Sequence, residues 1–345
     1  MKTRITEMMG IDYPIILSGM SWISVPEMVA AVSNAGGLGI LATGPLEKEQ
    51  TRAAIRQIRK LTDKPFGANA SLLFPGAMDN AKVLLEEQVP VINFALGKGD
   101  WIVDAAHKYG GKVIATVVSA RHARRAQEYG CDAVIATGNE AAAHGEFVTT
   151  FCLIPSLVDA LSIPVIAAGG IADGRGLAAA LSLGAEGVAM GTRFMTTKES
   201  PLHQNFKDLS RQKDVTDTLY SKRFDGLWCR VLKTDTAERV RKRGLNLPAA
   251  FFNAQDIAKS MHLPFLKLFI GVLLSGYKTA IQFAYLANAS KTFQAATVEG
   301  DLEKGVLPVG QCTGLLKDEP TVKELMDRMV AEAEAIRTRL NGVFS

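Results

Sequence analysis

Short apolar, β-branched runs recur along the first 190 residues, each followed by a polar or glycine turn and then an alanine-rich amphipathic stretch. The runs are YPIIL (13–17), GLGIL (37–41), PFGAN (65–69), PVINF (90–94), KVIAT (112–116), DAVIA (132–136), PVIAA (164–168) and EGVAM (186–190). Each is nearly continuous in apolar character, as expected of strands buried on both faces of a parallel sheet. Helical periodicity separates them, for example over 26–35, 48–61, 120–129 and 176–183. Eight strand–helix units at spacings of roughly 20–30 residues predict an α/β fold, a (β/α)8 TIM barrel. A doubly wound open sheet is the competing arrangement. The lack of a strong nucleotide-binding turn after the first strand favours the barrel.

The 345-residue chain continues well beyond the last strand and helix that a barrel needs. The pattern predicts a barrel over 1–211 and an insertion or lid over 212–305, basic first and then mainly helical. A return segment over 306–345 follows, and its amphipathic stretch 320–341 is expected to pack on the barrel.

Hydrophobic residues make up 48% and charged residues 21%, which excludes disorder and a collagen-like chain. Mean hydropathy is +0.11, and the uncharged apolar run between Lys267 and Lys278 falls short of the ~20 residues that cross a bilayer. No transmembrane segment is expected. The first residues lack the apolar core and cleavage site of a signal peptide, so the expected location is cytoplasmic. Cys131, Cys152, Cys229 and Cys312 form no C-x-x-C pair, which predicts a reduced protein without a disulfide frame or structural zinc. The net charge of +4 is concentrated: eight Lys/Arg and three Asp/Glu lie between Ser221 and Arg243. The rest of the chain is close to neutral, which argues against a nucleic-acid-binding surface.

Two motifs carry the most chemistry. AAGGIADGRG (167–176) and AMGTRF (189–194) each place glycine at the C-terminal end of a strand, the seventh and the eighth. Barrels often bind a phosphate between these two loops. Glycine lets the backbone approach phosphate oxygens closely, and the Thr192 hydroxyl can add a donor. A phosphate there fits flavin mononucleotide (FMN) with its ring over the barrel mouth. SGM (18–20) and Asn69 sit at the ends of strands one and three, where Met20 and the Asn69 amide can face the ring. Among five histidines, His144 lies in the loop after strand six, at the catalytic face, flanked by small residues. His107 and His122 fall on helices and read as solvated, His203 opens the helix after strand eight, and His262 lies in the insertion. No two histidines have metal-ligand spacing, so no metal site is expected.

MKTRITEMMGIDYPI, AVSNAGGLGI, LTDKPFGAN, IPVIAAGGIADGRGLAAAL and MGTRFMTTKES resemble the nitronate monooxygenase family. That family includes FMN-dependent enoyl-acyl-carrier-protein reductases and an NADH:quinone reductase branch. The resemblance covers about residues 1–205 and returns at GQCTGLLKDEPT (310–321). It implies a barrel with a small extra domain and FMN contacts from Met20, Asn69, Gly169, Gly170, Gly191, Thr192 and Gln311. It also places the family histidine at His144. Three positions depart from the family pattern. Leu17-Ser18 stands where Gln-Gly is usual before Gly-Met, Ala142-Ala143 replaces Gly-Gly before the histidine, and Thr116 ends strand five where several members carry lysine. RFDGLWCRVLKT (223–234), the helical stretch to Ala289 and GVLPVGQCTGLLKDEPT (305–321) resemble the sterol-catabolic indane-carboxyl-CoA dehydrogenase branch of that family.

The combined expectation is an FMN oxidoreductase that moves hydride at the Cα–Cβ bond of an acyl or enoyl thioester, with His144 as the catalytic acid/base. NAD(P)H would supply electrons or O2 accept them. The alternatives are a nitronate monooxygenase using O2 and an NAD(P)H:quinone reductase; an inactive flavin-binding scaffold is the non-enzyme reading. Arg239, Arg241, Lys242 and Arg243 are the expected contacts for coenzyme A phosphates, and LPFLKLFIGVLLSGYKTAIQFAYLA (263–287) the roof over the acyl group. The expected partner is a small molecule, and a homodimer is an expected assembly.

Overall fold

The computed structural model describes residues 1–73, 76–142, 144–260, 262 and 264–344. Ala143 and Leu263, both in segments singled out above, lie outside the described residues. Eight parallel strands close into a barrel: β1 (Ile15–Leu17), β2 (Leu38–Ala42), β3 (Phe66–Ser71), β4 (Val91–Ala95), β5 (Lys112–Val117), β6 (Ala133–Thr137), β7 (Val165–Ala168) and β8 (Gly187–Met190). β8 returns to pair with β1, Ile15 opposite Val188 and Leu17 opposite Met190.

The two-residue period of the strands sorts their side chains into two cores. Ile15, Leu17, Phe66, Ile92, Val113, Val134, Val165 and Val188 face outward against the helices. Ile16, Leu38, Ile40, Val91, Ile114, Ile135 and Ile166 fill the barrel interior, and Ile5, Met9 and Ile11 from the N-terminal segment join them. One step further along the same inward rows, the residues become small or polar. Ile16 gives way to Ser18, Val91 to Asn93, Ile114 to Thr116 and Ile135 to Thr137. The interior is therefore packed below, while its last inward layer lines a cavity at the C-terminal ends of the strands.

After β8 the chain runs through the helix Gln204–Arg211 into an antiparallel hairpin, β9 (Thr218–Ser221) and β10 (Cys229–Leu232). Sequence patterning describes this region as basic and then helical; the hairpin is an addition, formed from strands only four residues long. Four helices follow: Asp235–Arg243, Leu247–Ser260, Phe265–Leu274 and Tyr277–Gln294. The last helix, Val322–Phe344, packs on Gly174–Ser182 and Pro26–Asn34 of the barrel.

Two buried cations, each paired with a partly exposed carboxylate, fasten the return segment. The Arg193 guanidinium, 2% exposed, meets Asp318 at 2.8 Å, and Asp318 also takes Arg328 at 2.6 Å. Buried Lys207 donates to the Thr197 carbonyl at 2.7 Å and to Glu319 at 3.1 Å. Burial alone raises the pKa of both carboxyl groups. Hydrogen bonds from Arg328 and Arg193 to Asp318, and from Gln204 and Lys207 to Glu319, reverse this and hold both below the ordinary carboxylate range. A depressed native pKa stabilises the fold fully above the unfolded value and loses its effect as pH falls through the native one. The melting temperature should accordingly fall steeply below about pH 4. The Asp318→Asn variant should be less stable at pH 7 by about 1–3 kcal/mol, because Arg193 loses its anionic partner. Its acid-induced fall should also be shallower. Thermal melts across pH test this; a variant with an unchanged profile would contradict it.

Candidate active site

The cavity at the barrel mouth measures about 1690 Å³. Met20, Asn69, Gly169, Gly170, Gly191 and Thr192 all line it. Asn69 is fixed by its own neighbours: Oδ1 accepts from the Thr43 N–H at 3.1 Å, and its amide donates to the Gly19 carbonyl at 3.4 Å. Gly19 has no room for a side chain, since a Cβ there would lie 2.7 Å from Asn69. The turn after β7 holds Gly169 at φ +108° and Gly170 at φ +78°, where L side chains are strained. A Cβ on Gly191 would lie 3.1 Å from the Met20 sulfur. These turns thus present bare backbone to the cavity.

The site would bind an anion through backbone N–H groups and the Thr192 hydroxyl rather than through a free cation. Glu140, the nearest side chain to a Cβ built on Gly170, is occupied: Thr150 N and Oγ1 donate to it at 2.8 and 2.9 Å. Arg193, next to Thr192, is buried, and its Nε has no hydrogen-bond partner among the described residues. Thr192 Oγ1 accepts the Gly310 N–H at 2.9 Å, which ties the β8 turn to the return segment. Gln311 stands beside the wall. Its N–H donates to the Glu140 carbonyl at 2.9 Å, and the wall at this point comes from its neighbours Gly310 and Cys312 instead. The departures at strands one and five also fall on the wall. Ser18 lines it, and the Thr116 hydroxyl accepts from Asn93 at 3.0 Å.

His144 reaches the cavity from the loop after β6, and its partner comes from the insertion. Its Nε2 lies 2.6 Å from Asp225 Oδ2 in the turn between β9 and β10. An ionised carboxylate only accepts, so Nε2 is the donor in this pair, and in the neutral imidazole Nδ1 is then the acceptor nitrogen. Asp225 is 2% exposed and accepts three donors: His144, the Leu227 N–H at 3.0 Å and the Cys229 thiol. Burial, reinforced by the charge of Asp225, pushes the Cys229 thiol well above its ordinary pKa.

His144, Asp225 and Cys229 bring one ligand-type atom each within 4.8 Å of one another, a grouping invisible in linear spacing. Within the trio, His144 and Asp225 share a hydrogen bond, Nε2 to Oδ2. More bonds hold the hairpin to the β6 loop. The Tyr220 hydroxyl donates to the Gly145 carbonyl, and Arg230 donates to Asn139 O at 3.0 Å and Oδ1 at 2.7 Å.

The basic run does not enter the cavity. Arg239 pairs with Glu303 at 3.7 Å and Arg241 with Glu238 at 2.7 Å. Arg223 donates to the Arg241 and Lys242 carbonyls, which closes the last turn of the helix Asp235–Arg243. Lys242 and Arg243 are exposed at the end of that helix, away from the cavity wall. The basic residues on the wall are others: Lys98, His122, Arg125, Lys222 and Lys291. His122 therefore belongs to the cavity rim, and His107 pairs with Asp132 at 2.9 Å. Lys222 lies over the Trp228 ring, 5.5 Å from its centroid.

A (β/α)8 barrel with glycine turns after β7 and β8 and a histidine after β6 defines an oxidoreductase class. The nitronate monooxygenase family model matches residues 2–84 and 79–332, and the chain belongs to that family. It is 39% identical over 338 residues to the (3aS,4S,5R,7aS)-5-hydroxy-7a-methyl-1-oxo-octahydro-1H-indene-4-carboxyl-CoA dehydrogenase of Rhodococcus jostii, covering 96% of each chain. It is 37% identical over 341 residues to the protein of the same name from Mycobacterium tuberculosis, again covering 96% of each. Among solved structures, FabK from Thermotoga maritima superimposes with a TM-score of 0.82 at 37% identity over 99% of both chains.

Asp225→Asn should preserve the fold and leave KM nearly unchanged. It should lower kcat by about 10²-fold, the scale expected when a reacting group is misplaced by about an ångström, and should alter the pH–rate profile. Steady-state kinetics test this; an unchanged kcat would make Asp225 a purely structural carboxylate.

Proposed function

We propose that this enzyme is an FMN-dependent oxidoreductase acting at the Cα–Cβ bond of a coenzyme A thioester with a bulky, largely apolar acyl group. One observation carries the reading: the Asp225-held His144 opens into a chamber of about 1690 Å³ with an apolar roof. Phe251, Phe265, Leu268, Phe269 and Phe283 contribute to that roof. A small nitronate needs neither the volume nor the roof. The names of the two dehydrogenase relatives describe a fused-ring acyl-CoA, which has that shape and polarity.

The cofactor phosphate would sit on the bare backbone of Gly169, Gly170 and Gly191 beside Thr192, with Met20 and Asn69 flanking the ring. When bound, FMN supplies the two-electron acceptor for a hydride from Cβ. The protein's own residues handle the remaining charge. The Nδ1 lone pair of His144 takes the Cα proton. Asp225 fixes the imidazole through Nε2 and stabilises the positive charge that results. The apolar roof excludes water from the acyl group. The nucleotide handle of coenzyme A, carrying several phosphate charges, crosses the rim where Lys222 stands. In this direction O2 or an oxidised nicotinamide would take the two electrons from the reduced flavin; NAD(P)H would be the donor only if the same site reduced an enoyl thioester.

Two measurements test the proposal. The purified protein should carry non-covalent FMN, and Gly170→Glu should lose it, because a carboxylate would occupy the phosphate position. Under anaerobic conditions a ring-bearing acyl-CoA should bleach the flavin spectrum. Bleaching by an alkyl nitronate and not by acyl-CoA would return the nitronate reaction to first place. In kinetics, Lys222→Ala should raise KM for the coenzyme A thioester and weaken its salt dependence. A pantetheine thioester lacking the nucleotide should be unaffected. Equal effects on the two thioesters would remove Lys222 from the handle site.

A further inference from the structure

The helix Phe265–Leu274 has two apolar faces. Phe265, Leu268, Phe269 and Val272 line the chamber. On a helix advancing ~100° per residue, Leu266, Ile270 and Leu274 fall on a different stripe, and all three face solvent. Leu266 is 69% and Leu274 82% exposed, and no residue of this helix is buried. Tyr277, 80% exposed, follows across the Gly276 turn. An exposed apolar stripe of this kind needs a partner.

The charges around it select one. From 257 to 298 the chain carries no Asp or Glu, but four lysines. Lys291 pairs with Asp256 at 3.3 Å. Lys259, Lys267 and Lys278 are exposed and form no ion pair among the described residues. His262, the histidine of this stretch, pairs with Glu47 at 2.8 Å. The stripe is therefore apolar at its centre, with an aromatic residue at one end and cations at its borders. That is the pattern of a helix lying in a lipid–water interface, its apolar side sunk ~5–10 Å and its lysines among anionic headgroups. No helix is long and apolar enough to cross a membrane. A second copy fits less well, because a two-fold axis would set this patch against itself, lysines facing lysines without acids between.

We propose that the outer face of the helix Phe265–Leu274, with Lys259, Lys267 and Lys278, docks the protein on an anionic phospholipid surface. Docking would hold the roof of the chamber, the other side of the same helix, directly beneath the bilayer surface. The proposal does not depend on the reaction catalysed.

The test uses the full-length, flavin-loaded protein in vesicle flotation. Vesicles of phosphatidylcholine with about one-third phosphatidylglycerol should carry the protein, less so at high salt, and phosphatidylcholine alone should not. Replacing Lys259, Lys267 and Lys278 together by alanine should weaken binding on the order of 10²-fold. Leu266→Ser with Ile270→Ser and Leu274→Ser should abolish it. Both variants should keep the wild-type melting temperature and flavin content, since neither set is buried. Failure to float with either vesicle would overturn the proposal. So would binding that ignores the lysine replacements. A dimer in sedimentation equilibrium that the serine variant converts to monomer would assign the face to a second copy instead.

Discussion

A carboxylate shielded to 2% exposure has to be surrounded by donors, and Asp225 meets that requirement with one donor from the barrel, one from its own turn and one from the first residue of β10. Removing any of the three would leave a buried charge under-solvated. The constraint therefore does two things together. It docks the β9–β10 hairpin over the barrel mouth, and it fixes the orientation and tautomer of His144. The Tyr220 and Arg230 hydrogen bonds to the β6 loop reinforce the docking. The site is consequently shared between barrel and insertion, and neither part alone holds the histidine in place.

The barrel was legible because strands buried on both faces write an uninterrupted apolar run. All eight runs named from the sequence lie within a residue or two of β1 to β8. The glycine turns were legible for a related reason: glycine followed directly on each of two strand ends, and at the first of them positive φ at Gly169 and Gly170 demands it. The hairpin left no such trace. Its strands are four residues long, β9 is only half-buried, and short strands of this kind carry little periodicity.

Charge was the least legible property. Arg239 and Arg241 read in sequence as part of a ligand-binding cluster, yet each spends its guanidinium on a protein partner. A sequence displays a charge without its partner, and the partners here are Glu303 and Glu238. Asp225 was hidden in the opposite way. It stands 81 residues from His144, inside a segment dominated by Lys and Arg, and only the folded hairpin brings the two together. The cations that do line the chamber, Lys98, Arg125 and Lys222, are scattered singly along the chain.

The central claim is that His144 and Asp225 act as one proton-handling unit assembled across the barrel and the insertion. A double-mutant cycle on kcat tests it most directly, with His144→Ala, Asp225→Asn and the two combined. If Asp225 works through His144, the double variant should be no slower than His144→Ala alone. Losses that multiply, so that Asp225→Asn slows the enzyme equally with or without the histidine, would contradict the account.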